Sequence, residues 1–376
     1  MTTTHAPGLD DEPGGHPIGA RLAPRSDERA APWADKLWNA VRAADEYAAV
    51  DVVTDALEAG LAPETVLLEV IGAVQHRVGT EWAANRMSVA AEHAATAISD
   101  RVIACLPVRR PATFLGRVTV ACVDKEWHAL PARLLGETLR LRGWQVDYLG
   151  AQVPTAHLIS QIHRTGPAVV CLSGSLPTRL PHAHATISAV QGAGTPVMVG
   201  GLAFGADGRY ARQLGADAWA PEARSAADRL AAGPLPRPRP PHQATDDLPH
   251  LADQEYTMVV RSSRSLVRET FKVLEQRFPA IGGYDEEQRE RTAEDLAHIV
   301  DFLAAALYVD DPDLFVGFLL WTGDVLTARG VPVQSVLPGL DLLAGQLRDF
   351  PRARRFLNAG RSALASRVRR RAGRTL

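Results

Sequence analysis

The chain has 376 residues, of which 46% are hydrophobic and 22% are charged, a balance typical of globular proteins with two or three domains. Its formal net charge of −2 provides no general attraction to nucleic acid or to an anionic membrane surface. Cys105, Cys122 and Cys171 each lie in an apolar run without a CxxC pair, which indicates buried thiols in a reducing compartment.

The N-terminal part of the chain divides into a polar lead-in and a helical block. Residues 1–32 are rich in Gly, Pro, Asp and Arg and lack the apolar core of a signal peptide, so we expect them to be disordered. Residues 33–110 carry apolar side chains at helical spacing, for example at Trp38, Val41 and Ala44. This pattern predicts a cap of about four helices.

The next block, residues 115–233, alternates short β-rich runs with amphipathic segments. The runs are 118–123, 145–149, 168–172, 196–199 and 218–220, and clear helical segments are 131–142 and 156–165. This alternation predicts a five-stranded parallel sheet covered on both faces, in a Rossmann-like, flavodoxin-like domain. Ligands of such sheets bind at the carboxyl ends of the strands.

A proline-rich segment and a second helical block complete the chain. Prolines recur between Pro234 and Pro241, which predicts an extended linker over residues 234–252. Periodic apolar runs predict a C-terminal helical domain over residues 253–362, in which we interpret His298 and Trp321 as core residues.

The chain ends in a basic tail, residues 363–376. Its arginines are Arg367, Arg369, Arg370, Arg371 and Arg374. We expect a solvated end, and contact with phosphates is the alternative. No segment has the apolar length of a membrane span, so we expect a cytoplasmic protein.

Three predicted loops at one edge of the sheet carry the residues that could bind a metal or another ligand. The first strand is followed by Glu126 and His128, and a carboxylate near an imidazole can orient it as a metal ligand. The third strand is followed by Ser173 and Ser175, which offer hydrogen bonds to a ligand. Gly200-Gly201 follows the fourth strand and permits close backbone approach. Taken singly, each loop also fits an ordinary turn or a surface acid–histidine pair.

Together these loops resemble the cobalamin-binding domain shared by methionine synthase, corrinoid proteins, cobalamin mutases and light-sensing cobalamin regulators. That family has an Asp/Glu-x-His-x-x-Gly loop, a Ser-x-Leu segment and a Gly-Gly segment at these positions. Here Pro131 stands in place of the glycine and Ser175 in place of the leucine. The resemblance implies a cobalamin, as adenosylcobalamin or methylcobalamin, with His128 as the lower ligand of cobalt. The displaced nucleotide tail would pass Ser173 and the two glycines.

The helical block contains Trp82, Glu92, His93 and Thr96, at a spacing similar to the Trp-x(9)-Glu-His-x-x-Thr pattern in the cap of the light-sensing regulators. The resemblance implies that Trp82, Glu92 and His93 surround the upper ligand of cobalt. Packing of Trp82 and His93 between helices is the alternative. The light-sensing regulators usually carry a histidine directly after the tryptophan, and this chain has Ala83 there.

We recognise no methyltransferase or mutase barrel and no DNA-binding winged helix in the sequence. The leading interpretation is therefore a cobalamin-binding sensory or regulatory protein rather than an enzyme. Its partner would be a second copy or a regulatory protein, reached through the C-terminal helical domain, and nucleic acid is not expected. A corrinoid methyl carrier for a separate methyltransferase is the alternative. A degenerate site that serves only as an interaction module is a third interpretation.

Overall fold

A computed structural model of the protein describes residues 28–107, 111–238, 243–278, 283 and 285–372. It confirms the predicted fold class, with a helical N-terminal cap, a five-stranded parallel sheet and a C-terminal helical region. Most of the predicted disordered lead-in, Pro240, Pro241 and Arg374 lie outside the described residues. Within the described ranges, no helix combines the length and apolar character needed to cross a membrane.

The N-terminal cap packs its helices around a small apolar core. In chain order its elements are α1 (Ala31–Arg42), α2 (Glu46–Glu58), α3 (Pro63–Thr65), a π-helical stretch (Val66–Ile71), α4 (Gly72–Ala83) and α5 (Val89–Ala104). Asp45 and Ser88 cap the amino termini of α2 and α5 with their side chains, which satisfies backbone N–H groups there. Leu37, Leu67 and Ile71 are fully buried between the helices.

The sheet has the strand order β2-β1-β3-β4-β5, and all of its strand pairs are parallel. The strands are β1 (Arg117–Cys122), β2 (Gln145–Gly150), β3 (Val169–Ser173), β4 (Val197–Gly200) and β5 (Ala218–Ala220). The connecting helices are α6 (Ala129–Leu141), α7 (Thr155–Thr165), α8 (Leu180–Gly192), α9 (Arg209–Gln213) and α10 (Ala223–Ala231). The chain order reverses at β1 and β3, so their carboxyl ends form the crevice where such sheets bind ligands.

Ion pairs attach the cap to the sheet domain. The Arg142 guanidinium, just after α6, donates two hydrogen bonds of 2.8 Å to Glu64 of α3. Arg224 of α10 reaches Glu64 at 3.2 Å and Glu69 at 2.8 Å. Because Glu64 accepts from both arginines, their hydrogen bonds and charges lower the pKa of its carboxyl despite partial burial.

The segment predicted to be an extended linker is partly helical, which corrects that prediction. It contains α11 (Ala244–Asp247) and a 3₁₀ turn (Pro249–Asp253). Leu248 and Leu251 are buried there, and His250 contacts the carbonyl oxygen of Tyr308 at 2.8 Å. Burial of the two leucines against the C-terminal domain folds the segment, a tertiary effect that proline spacing does not report.

The C-terminal region is a bundle of long helices that packs on the sheet domain. Its helices are α12 (Glu255–Arg277), α13 (Glu286–Val309), α14 (Pro312–Ala328), α15 (Leu337–Gln346) and α16 (Pro351–Ala372). Its core is continuous with the apolar layer under α7 and α8. At this interface the buried His184 of α8 contacts the Tyr308 hydroxyl at 2.9 Å and Asp247 at 3.0 Å.

Two predictions about buried side chains are wrong. Cys105 is exposed at the end of α5, whereas Cys122 and Cys171 lie in buried strands. His298 is exposed on α13, although its neighbour Ile299 is buried, because it falls outside the helix's apolar stripe. Trp321 is half-buried and packs against the core of the C-terminal bundle, in agreement with its interpretation as a core residue.

Candidate functional site

The centre of the site is Glu126, a fully buried carboxylate in the loop after β1. The turn is set by Lys125, whose φ is +65°, and it directs Glu126 back under the strand ends. Oε1 of Glu126 accepts the backbone N–H of His128 at 3.1 Å and is 2.6 Å from its Nδ1. Oε2 accepts the backbone N–H groups of Ser175 and Leu176 at 2.8 and 3.0 Å. One carboxylate thus joins the β1 and β3 loops.

These bonds decide the charge of the pair. Burial alone would raise the pKa of Glu126, but the hydrogen bonds from His128, Leu176 and Ser175 outweigh burial and lower the pKa to about 2. The hydrogen bond to Glu126 raises the pKa of His128 above its ordinary value, against the opposing effect of desolvation. Burial and the nearby Glu126 charge raise the pKa of the Cys122 thiol to about 12, so this thiol stays protonated at neutral pH.

His128 presents its far ring nitrogen to solvent. Its side chain is 53% exposed, and Nδ1 is occupied by Glu126. In the described part of the chain, no hydrogen bond engages Nε2. An imidazole whose Nδ1–H is donated to a carboxylate carries its lone pair on Nε2, which is the arrangement of a histidine that binds a metal.

The serines and glycines of the neighbouring loops lie at the same edge. Ser173 is buried, and its carbonyl oxygen accepts the backbone N–H of Val123 at 2.9 Å. A Cβ on Gly201, where φ is +96°, would lie 2.3 Å from the carbonyl oxygen of Gly174. A Cβ on Gly200 would lie 2.8 Å from the carbonyl oxygen of Ala220. The paired glycines are therefore required by backbone packing between strand ends, which is the ordinary turn interpretation.

In the cap, Glu92 and Thr96 form a hydrogen-bonded group on α5, and Nδ1 of the neighbouring His93 contacts the carbonyl oxygen of Val89 at 2.9 Å. The Thr96 hydroxyl donates to Glu92 at 3.0 Å and accepts from Nε2 of Gln75 at 2.8 Å. Nδ1 of His93 lies 2.8 Å from Glu92, and the His93 side chain is 75% exposed. His93 therefore does not pack between helices, which corrects that alternative. Gln75 joins the group through tertiary packing and was not identified from the sequence.

Trp82, at the end of α4, points toward the C-terminal domain. Its ring stacks on that of Trp321 in α14, with centroids 6.4 Å apart and an interplanar angle of 25°. The Arg329 guanidinium lies 5.0 Å from the centroid of the Trp82 ring. The sequence does not reveal this pairing, because Trp82 and Trp321 are remote in the chain. A tryptophan at position 321 is also explained by packing on the apolar face of its own helix.

Charges from the cap and from the turn after β3 act on His128. The charge of Glu92 raises the pKa of His128 and that of Arg179, in the turn after β3, lowers it. The cap, the β1 loop and the turn after β3 therefore each contribute a charged or titratable group near His128.

Two parts of the chain match known protein families. Residues 116–231 match the family described as B12 binding domain, and residues 33–106 match a second family with the same description. The two matches coincide with the sheet domain and the cap.

Two curated relatives are transcriptional repressors of Myxococcus xanthus. The chain is 31% identical to the HTH-type transcriptional repressor CarH over 204 residues, which is 52% of this chain and 65% of the repressor. It is 36% identical to the HTH-type transcriptional repressor CarA over 121 residues, which is 31% of this chain and 42% of the repressor. The chain thus spans less than two thirds of the length of either relative.

Solved structures with a similar fold include a monomethylamine corrinoid protein of Methanosarcina barkeri. That likeness has 18% identity and a TM-score of 0.46, and it covers 54% of this chain and 98% of the corrinoid protein. A cobalamin-binding protein from Desulfitobacterium hafniense shares 20% identity with a TM-score of 0.30, over 53% of this chain and 97% of that protein.

Proposed function

This chain carries B12-binding domains over residues 33–106 and 116–231, and we propose that it is a cobalamin-dependent sensory or regulatory protein. The cofactor lies between the cap and the carboxyl edge of the sheet, with its own nucleotide base displaced from cobalt. His128 is the lower ligand of the cobalt ion. Trp82, Glu92 and His93 of the cap lie on the side of the upper ligand, which is adenosyl or methyl.

The observation that carries this proposal is the buried Glu126 that holds an exposed imidazole. Glu126 is 0% exposed, whereas the His128 side chain is 53% exposed and is fixed at Nδ1 at 2.6 Å. Desolvating a carboxylate is costly unless hydrogen bonds compensate for the loss of water. Here four bonds to Glu126 compensate, and their joint effect is to fix the orientation and tautomer of His128.

The residues fit a cobalamin on three further grounds. The chemistry of the donor is suitable, since neutral imidazole nitrogen binds transition metals well. The charge of Glu92 in the cap acts on the pKa of His128, so the cap lies close to the imidazole. Glu92 and His93 of the cap, whose side chains are 2.8 Å apart, offer partners for a ribose or amide group. Bound there, a cobalamin would supply a cobalt ion whose upper ligand can be exchanged or lost.

The regulatory role is supported by likeness to two transcriptional repressors. In this chain the C-terminal helical domain contacts the cap through Trp82 and the sheet domain through His184. A domain in contact with both the cap and the sheet domain is well placed to respond to a cofactor bound between them, and a second copy or a regulatory protein would receive that response.

The test of the cofactor site is an absorbance titration of the full chain with hydroxocobalamin. We expect the wild type to shift the visible spectrum to that of a histidine-bound, base-displaced cobalamin. His128→Ala should weaken binding at least 10-fold and remove that spectral shift. His157→Ala, at an exposed position on α7, is the matched control and should behave as the wild type. An unchanged spectrum in His128→Ala would refute the assignment of the lower ligand.

A second measurement separates a regulator from a methyl carrier. We expect tighter binding of adenosylcobalamin than of methylcobalamin, and a change in oligomeric state by size-exclusion chromatography when the adenosyl group is lost in light. Preference for methylcobalamin, with the same elution volume in every ligand state, would instead support the carrier.

A further inference from the structure

Trp321 joins the cap to the core of the C-terminal domain through a row of aromatic rings. On one side its ring lies 6.4 Å from that of Phe318, and Phe318 stacks on Phe302 with centroids 3.8 Å apart. Phe302 and Phe318 are buried in the continuous core of the C-terminal bundle. Trp321 therefore packs against the buried rings of α13 and α14.

The other side of Trp321 meets the cap. Its ring stacks on Trp82 at 6.4 Å, and a second contact, from Nδ2 of Asn85 to the carbonyl oxygen of Ala328, spans 3.5 Å. Both contacts join the end of α4 to the carboxyl-terminal half of α14. Arg329, directly after α14, adds a cation–π contact to the Trp82 ring at 5.0 Å.

Among the residues that the structure describes, none of the cap contributes a ring contact to Trp82. The apolar core of the cap takes Val74 and Val78 from α4, and Trp82 does not belong to it. The ring contacts described for Trp82 are with Trp321 and Arg329, both from the C-terminal domain. The orientation of the Trp82 side chain therefore depends on a domain outside the cap.

We propose that Trp321 is a positioning residue of the cobalamin site: it holds Trp82 by ring stacking and thereby sets which upper ligand the site accepts. The proposal rests on the proposed function, in which Trp82 lies beside the upper ligand. A large adenosyl group needs a fixed aromatic wall, whereas a hydroxo ligand is too small to reach one. Loss of Trp321 should therefore weaken the binding of adenosylcobalamin more than the binding of hydroxocobalamin.

The test is the ratio of two dissociation constants, for hydroxocobalamin and adenosylcobalamin, measured in the dark on the full chain. We expect Trp321→Ala to reduce the preference for adenosylcobalamin about 3- to 10-fold, the range for loss of one aromatic pair. Trp82→Ala should reduce it similarly, and the double variant no further, because both changes remove the same wall. Trp321→Phe should restore most of the preference, since it keeps a ring at this position.

Two controls separate positioning from general destabilisation. Tyr256→Ala removes a half-buried aromatic that packs on Tyr308 inside the C-terminal bundle, and it should leave the ratio unchanged. Near-ultraviolet circular dichroism of the cofactor-free protein should change alike in Trp82→Ala and Trp321→Ala, because each abolishes the stacked pair. If Trp321→Ala does not fold, Trp321→Leu replaces it in the same comparison.

The outcomes are distinct. A wild-type ratio in Trp321→Ala together with an altered ratio in Trp82→Ala overturns the role of Trp321 and leaves the proposed function standing. Effects that multiply in the double variant also overturn it, because the two rings would then act independently. Failure of the wild type to bind either cobalamin overturns the proposed function and this proposal together.

Discussion

Replacing Glu126 with glutamine removes a buried charge from the site and keeps the size of the side chain. The two oxygens of Glu126 accept four hydrogen bonds, two from His128 and one each from the amides of Ser175 and Leu176. Glutamine has one oxygen and one NH₂ group. The NH₂ group must therefore face either the two donors of His128 or the backbone N–H groups of Ser175 and Leu176, and a donor cannot bond another donor. The substitution therefore breaks the connection between the β1 and β3 loops.

We expect Glu126→Gln to lower the free energy of unfolding by about 3 kcal/mol at neutral pH. A buried donor left without a partner costs roughly 1–3 kcal/mol. Independently, the fall of the Glu126 pKa from 4.5 to about 2 on folding corresponds to about 3 kcal/mol at roughly 1.4 kcal/mol per pKa unit. The same variant should bind cobalamin on the order of 10-fold more weakly, since His128 loses its orienting partner.

The pH dependence of this loss has a defined sign. Because the folded-state pKa of Glu126 is depressed, its stabilisation is complete above pH 4.5 and is lost as the pH falls toward 2. The pKa of His128 is raised, so its stabilisation is complete below pH 6.5 and is lost as the pH rises through its folded-state pKa. The difference in stability between wild type and variant is therefore largest between about pH 4.5 and 6.5.

The assay is urea unfolding of the cofactor-free full chain, followed by circular dichroism across that pH range and on both sides of it. Glu222→Gln is the matched control, because Glu222 also accepts two backbone N–H groups but is exposed at the start of α10. Glu222→Gln should lower the free energy of unfolding by less than about 1 kcal/mol. A loss for Glu126→Gln that equals this control, or that does not vary with pH, refutes the reasoning.

Two further predictions concern the packing that positions the site. Gly201→Ala should destabilise the protein by about 3 kcal/mol, because φ is +96° and the new Cβ would lie 2.3 Å from a carbonyl oxygen. Gly60→Ala, with φ +85° and open space, should cost only about 1 kcal/mol in the same thermal unfolding assay. Tyr308→Phe should cost about 1–2 kcal/mol by removing the hydroxyl that bonds the buried His184, measured against Tyr47→Phe at an exposed site.

Each of these predictions can fail clearly. Equal losses for the two glycine variants would show that strain at positive φ, rather than contact between strand ends, decides the cost at position 201. A Tyr308→Phe variant as stable as Tyr47→Phe would show that the hydrogen bond at the interface between the sheet domain and α13 contributes nothing to stability.

The fold class and the edge of the sheet that carries the site were predictable from the sequence. The alternation of β-rich runs with amphipathic helices indicates strands that helices cover on both faces. Few architectures other than a parallel sheet bury strands in this way. The sequence also placed Glu126 and His128 in one loop, because residues two apart after a strand end remain neighbours in any fold. Family resemblance added the cofactor class, which the B12-binding domain matches support.

The partners of those residues were decided by the tertiary structure. Sequence spacing does not show that Glu126 reaches the amides of Ser175 and Leu176, or that Gly201 makes room for backbone. The stacking of Trp82 on Trp321 was also hidden, because an aromatic residue on an apolar helix face does not reveal what it faces.

The difference between what the sequence determined and what the tertiary structure decided has one physical cause. Local periodicity records how much of each segment is buried, and the sequence by itself determined the elements, their order and the edge at which loops carry chemistry. Contacts between remote segments depend on how all the elements pack at once, and a single sequence does not record them. Only the tertiary structure therefore decided that the C-terminal domain reaches the cap beside the candidate site.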